Sequence, residues 1–238
     1  MFALGTIINT ISIILGGIFG LLFGTKLNEK QQDGLIKACG ISVVFIGIAG
    51  AMENMITIQD FQLVSQNSLF IVICLALGAF IGEILHIEDL FETFGEWLKV
   101  KSGNAKEKNF VYAFVNASFT VCIGAMAIVG AIQDGIYHDS SILITKSLLD
   151  FIIIMIMTCS TGKGAIFSAI PVFLLQGSMT ILASLLESVM TPSALMYLSL
   201  IGSILIFCVG VNLVWGKKVS VANLLPALIF AVLGSYII

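Results

Sequence analysis

The sequence has no arginine, and its eleven basic residues are all lysine. It is also poor in charge of either sign, with 11% Asp, Glu, Lys and Arg against roughly 25% in a soluble domain. That leaves too little polar surface to cover a water-facing globule of 238 residues. Histidine is limited to His86 and His138, so no pair stands at metal-binding spacing. There is no Walker loop, no G-x-S-x-G elbow and no nucleotide-binding domain, which excludes an ATP-driven pump as a single chain. Neither an enzymatic activity nor a cofactor is expected, and nucleic-acid binding has no support. The scarcity of lysine on most of the chain makes the few that exist informative, because their placement reports orientation.

Apolar sequence takes the place of charge. Hydrophobic residues make up 58% of the chain and mean hydropathy is +1.09, which makes lipid the expected solvent. In lipid each backbone donor and acceptor must be paired within the protein. The runs are long and do not alternate with period two, which excludes a transmembrane barrel and leaves helices. Cys39, Cys74, Cys122, Cys159 and Cys208 are odd in number and all lie inside apolar runs, so they read as small interface fillers. The first run has no basic segment before it and no small-residue cleavage site after it. It is expected to be a retained span.

A helix needs about 20 residues to cross the hydrocarbon core. The expected fold class is therefore an all-α integral membrane protein of about eight transmembrane helices, at 3–23, 34–52, 67–86, 109–132, 142–160, 164–187, 194–214 and 221–238. Together they form a single polytopic domain over 1–238. Lysine falls in alternate loops. Lys26 and Lys30 follow the first span, Lys99, Lys101, Lys106 and Lys108 the third, Lys163 the fifth, and Lys217 and Lys218 the seventh. The other loops carry Glu53 and Asp60, Asp134 and Asp139, and Glu187. Under the positive-inside rule the lysine loops face the cytoplasm and both termini face out. Lys146, inside the fifth span, is the exception. Between spans three and four, Ile87, Leu90, Phe91, Phe94, Trp97 and Leu98 recur at helical spacing among acidic residues. This predicts an amphipathic helix packed on the underside of the protein.

The two ends of the chain resemble each other. Gly5–Ile11 matches Gly164–Ile170, Gly40–Phe45 matches Gly202–Phe207, and Asn67–Gly78 matches Asn223–Gly234. The three matches occur in the same order. They predict inverted three-helix repeats, about 3–86 and about 164–238, flanking two central helices at about 109–160. Corresponding helices then cross in opposite directions, the arrangement of many secondary transporters. Gly16-Gly17 in the first span and Pro171 with Gln176-Gly177 in the sixth are candidate breaks, the sequence pointers to a substrate site.

Asp150 is the sharpest candidate residue. It lies about 13 Å into the fifth span at 1.5 Å per residue, where an ionised group is expensive. Lys146 is four residues earlier on the same helix face. One reading is a mutually neutralising pair that fixes packing; the other is a cation or proton site whose occupancy competes with Lys146. Asn9, Asn116, Thr120 and Gln176 are the other deep polar side chains, and with Asp150 they are the candidate substrate- or ion-binding set. Glu83, His86, Asp134 and Glu187 fall near span ends and are set aside.

The stretch Cys122-Ile123-Gly124-Ala125-Met126-Ala127-Ile128-Val129-Gly130-Ala131-Ile132-Gln133-Asp134-Gly135 resembles a signature of the uncharacterised bacterial membrane family YqgA/YdfK (domain of unknown function 554). So do Lys146-Ser147-Leu148-Leu149-Asp150 and the opening Gly5-Thr6-Ile7-Ile8-Asn9. The resemblance covers essentially the whole chain. It implies a multi-spanning protein of the bacterial inner membrane and carries over no functional residue. The leading expectation is a small secondary transporter or ion-coupled permease. The alternative is a non-transporting component, a sensor or assembly partner, with a dry, fully paired Lys146–Asp150. A membrane enzyme is a distant third. Expected partners are membrane lipid and a second copy of the chain, a homodimer being the guess.

Overall fold

The computed structural model describes residues 3–24, 26–59, 61–123, 125–183 and 190–236. Asp60, Gly124, Glu187 and the expected end of the sixth span lie outside the described residues. Apolar helices dominate. They are α1 (Leu4–Gly24), α2 (Glu29–Met55), α3 (Ser68–Leu85), α4 (Ile87–Lys101), α5 (Phe110–Cys122), α6 (Ala125–Tyr137) and α7 (Ser141–Thr161). A 3₁₀ segment (Lys163–Ser168) then leads into α8 (Ala169–Ile181). Next come α9 (Pro192–Trp215), α10 (Val221–Leu224) and α11 (Pro226–Gly234). Many of their large apolar side chains point outward, such as Phe45 at 66% and Leu148 at 64% exposure. A fold that leaves such residues uncovered is built for lipid, and the chain is an integral membrane protein.

Eight separate long spans are not seen among the described residues. Among the described residues six helical stretches are long and apolar enough to cross: α1, α2, α3, α7, the 3₁₀ segment with α8, and α9. A seventh exists only if α5 and α6 form one span bent by 60° at the break between them. The expected eighth span is a shorter apolar stretch, Val221–Gly234. Pro226 starts α11 there, so its missing N–H and fixed φ divide the stretch into α10 and α11.

Local chemistry explains several boundaries. Asn28 caps α2 in a reciprocal capping box with Gln31, which starts the helix five residues before the predicted span. Thr191 accepts from the Ala194 N–H at 3.1 Å and Pro192 occupies the first turn of α9. Between α2 and α3 the chain makes a hairpin that periodicity did not announce, β1 (Ile56–Gln59) paired antiparallel with β2 (Gln62–Ser65).

Of the candidate breaks, only Pro171 adjoins irregular backbone. α1 runs unbroken through Gly16 and Gly17. These glycines serve close packing: Gly16 lies against the Phe151 backbone of α7 and Gly17 against Ile166. Gln176-Gly177 is likewise continuous within α8. The helical pattern is interrupted instead just before Pro171, in the 3₁₀ segment, and between α5 and α6.

The helix pairs α1–α7 and α2–α9 make the most extensive contacts. α3 lies along α10 and α11, and α5 and α6 flank the 3₁₀ segment and α8. The amphipathic α4 packs on α5 through Phe91–Phe119 and Phe94–Phe114 ring contacts at 4.9 and 5.8 Å. It therefore sits against the protein's own body. Leu90, Trp97 and Val100 point away from it.

Candidate functional site

Lys146 and Asp150 are both buried, at 6% and 3% exposure, although each carries an ionisable group. One turn of α7 separates them, and Lys146 Nζ lies 2.5 Å from Asp150 Oδ2. Lys146 Nζ also donates to the Val121 carbonyl at 2.8 Å. Val121 belongs to the last turn of α5, where carbonyls lose their intrahelical donors and the helix end is negative. The break after Cys122 thus exposes a helix C-terminus to the ammonium. The Asn9 side chain of α1 lies near the Asp150 carboxylate.

Asn9 extends the network to α8. Its Nδ2 donates to Gln176 Oε1 at 3.3 Å, and one turn away Thr6 and Thr180 approach to 3.4 Å between hydroxyls. Asn9, Gln176 and Thr6 are 0% exposed and Thr180 is 1%. At the N-terminal end of α1 the Gly5 N–H donates to Asp134 Oδ2 of α6 at 2.9 Å. A carboxylate there meets an otherwise orphaned donor and the positive end of the helix. The result is a polar seam that runs from Asp134 through Thr6/Thr180 and Asn9/Gln176 to Asp150 and Lys146.

The seam is not fully satisfied. Asn9 Oδ1, Gln176 Nε2 and Asp134 Oδ1 are buried and have no partner among the described residues. Buried orphans of this kind cost about 1–3 kcal/mol each. They leave two acceptors and one donor unmatched along the seam.

Of the sequence candidates, Asp150, Lys146, Asn9 and Gln176 come together. Asn116 and Thr120 do not join them. Asn116 Nδ2 donates to its own helix at Tyr112 O, and Thr120 Oγ1 to Asn116 O. Asn116 faces a separate cavity between α4 and α5. Asp134, Thr6 and Thr180 belong to the seam and were passed over in the sequence. Asp134 looked like a span-end residue, and its burial follows from the bend that folds α6 back against α8.

Three cavities flank this architecture. The apolar one, about 430 Å³, opens beside the α5–α6 break between Phe119, Ile123, Pro171, Leu175 and Leu228. Its wall includes Cys122, whose thiol lies within the field of both Lys146 and Asp150. The other two are polar, about 270 Å³ under α4 and about 450 Å³ between α2 and the end of α7. None of the three is lined by Lys146, Asp150, Asn9 or Gln176.

The profile of the family described as "Protein of unknown function (DUF554)" matches residues 4–236. The "Uncharacterized membrane protein YdfK" of Bacillus subtilis (strain 168) is 28% identical over 225 residues, 94% of this chain and 92% of that protein. The "Uncharacterized protein YqgA" of Escherichia coli (strain K12) is 29% identical over 232 residues, 96% and 94% respectively. No solved structure matches the chain. With the profile spanning nearly the whole sequence and relatives aligned end to end, the chain belongs to the DUF554 family of membrane proteins.

Proposed function

We propose that the protein is a small secondary transporter or ion-coupled permease in which Asp150 binds a coupling cation or proton. Lys146 is the tethered cation that holds the site otherwise, and Asn9 and Gln176 supply polar ligands. The observation that carries this reading is the buried Lys146–Asp150 pair seated at the broken end of α5. Transporters build ion sites from discontinuous helices whose freed carbonyls face the interior. Intramembrane ion pairs are costly and are associated with ion pathways.

An inverted repeat supports the reading. Gly78 of α3 lies against Ala227 of α11. Gly234, the counterpart of Gly78 in the sequence match, lies against Phe70, next to Ile71, the counterpart of Ala227. Likewise Gly40 of α2 meets Gly210 of α9, and Gly47 meets Ser203, one position from the pair that a two-fold exchange would generate. In this reading the repeats are about 3–86 and 164–238, α5 with α6 and α10 with α11 each count as one crossing alongside the six long spans, and the lysine loops face the cytoplasm of an inner membrane with both termini outside.

A second reading has its own observation. Lys146 and Asp150 close on each other, and none of the three cavities reaches them. That is the arrangement of a non-transporting component, a sensor or assembly partner. Flux assays on the full chain in sealed vesicles, carrying pH- and sodium-sensitive dyes, separate the two while solutes are screened. The transporter reading expects a solute-driven ion signal that Asp150→Asn reduces at least about tenfold. Wild-type rate and ion dependence in Asp150→Asn would remove Asp150 from the mechanism, and no flux for any solute would favour the second reading.

A further inference from the structure

The cavity of about 270 Å³ under α4 is separate from the Asp150 seam and has a different character. Glu88, Glu92 and Glu96 line it from α4, Tyr112 and Asn116 from α5, and Lys217 from the loop after α9. The three glutamates recur every fourth residue, so the helix stacks their carboxylates along one face. Lys217 Nζ reaches two of them, 2.7 Å from Glu88 Oε1 and 2.7 Å from Glu92 Oε1. Lys99 lies 3.5 Å from Glu96. Two ammonium groups therefore face three carboxylates. Glu88 is 8% exposed, and its Oε2 is buried without a partner among the described residues.

The frame of this cavity is fixed while its cation is not. The Glu88 N–H donates to Asn223 Oδ1 at 2.8 Å, which pins the start of α4. Asn212 pins the loop: its Nδ2 donates to Val219 O at 2.7 Å, and its Oδ1 accepts from the Lys218 and Val219 N–H groups at 2.8 and 3.0 Å. The Lys217 side chain, in contrast, is half exposed. It is an ammonium on a long, rotatable stem, rooted in a rigid loop and inserted between carboxylates.

We propose that this cavity binds an organic ammonium ion with a short aliphatic stem, and that Lys217 is a built-in competitor occupying the same position. A metal ion fits less well: no group of three His, Cys, Asp or Glu among the described residues is arranged to hold one. An amine finds a carboxylate oxygen left unmatched at Glu88, and the walls of Val111, Val115 and Phe119 cover its methylenes. This is how lysine stems themselves are accommodated. The site stands independently of the transport reading, since its lining shares no residue with the Asp150 seam.

Putrescine titrated calorimetrically into the detergent-purified full chain tests the proposal, with magnesium chloride as the parallel probe. Lys217→Met, which removes the competitor and keeps the stem, is expected to bind putrescine at least about tenfold more tightly than wild type. Adding Glu88→Gln to Lys217→Met should cancel that gain. Glu92→Gln, at a more exposed position, should weaken binding by a smaller factor and serves if the Glu88 variant fails to fold. Equal putrescine affinity in wild type and Lys217→Met, or binding of magnesium without putrescine, would overturn it.

Discussion

Asn9 of α1 donates its side-chain amide to Gln176 of α8, 167 positions away, yet the outer atoms of both amides are left without a partner among the described residues. A pair held purely for packing has no reason to retain two orphans at about 1–3 kcal/mol each when apolar residues of similar volume would fill the space. Gln176→Met tests this directly. The change gives up one neutral hydrogen bond, worth about 1 kcal/mol net, and removes the stranded Nε2 while leaving Asn9 Nδ2 without Gln176. The melting temperature in detergent is expected to stay within a few degrees of wild type while solute flux falls. A drop of many degrees would assign the pair to structure alone.

The Lys146–Asp150 pair makes the opposite prediction for stability. Lys146→Met strands a buried carboxylate, which costs about 3–5 kcal/mol, and Asp150→Leu strands the ammonium at similar expense. The double variant buries no charge, so most of that loss should return. Chemical or thermal unfolding of the two single variants and the double one measures the coupling. Additive losses would show that the two groups do not act as a pair.

Much of this was legible before any coordinates. The Lys146–Asp150 spacing put both groups on one face of one helix, and that is a local relation that periodicity alone resolves. Asn9 and Gln176 were recognisable as deep polar residues, but their meeting was not, because it depends on how α1 and α8 pack. Asp134 illustrates the limit best. Hydropathy read 109–132 as one straight span and left Asp134 at its outer end. The break after Cys122 turns α6 aside and brings Asp134 to the α1 N-terminus. No proline marks that break, and a hydropathy window does not sense it. Asn116 and Thr120 lie outside the seam, each donating to a carbonyl one turn back on α5.

Glycine positions separate packing from flexibility. A Cβ at Gly20 would lie 2.5 Å from the Met155 carbonyl and 2.8 Å from the Thr158 side chain, so α1 and α7 would have to part. Gly20→Ala is expected to lower stability by about 1–3 kcal/mol, the usual range for overpacking. At Gly177, inside α8, an added Cβ would meet nothing within 4 Å. Gly177→Ala should raise stability by about 0.5–1 kcal/mol through helix propensity. Thermal melts of both variants decide the matter; a neutral Gly20→Ala would mean that the α1–α7 contact is looser than described.

Lys217 supplies a pH dependence whose sign is fixed by its partners. Burial pulls its ammonium down, but hydrogen bonds and charge from Glu88 and Glu92 outweigh that and hold it above its ordinary 10.5. A raised folded value means that the protonated form is favoured by folding. The contribution to α4 docking is therefore complete below about pH 10.5 and is lost as pH rises through the higher folded value. Trp97 on α4 reports the event once Trp215 is replaced by Phe, leaving one tryptophan. Its emission is expected to shift in alkaline solution above pH 10.5 as α4 loosens. Lys217→Met should flatten that transition, because no ammonium remains to titrate between the two glutamates. An unchanged alkaline shift in Lys217→Met would place its origin elsewhere and would leave α4 held by its Phe91 and Phe94 ring contacts and the Glu88–Asn223 hydrogen bond.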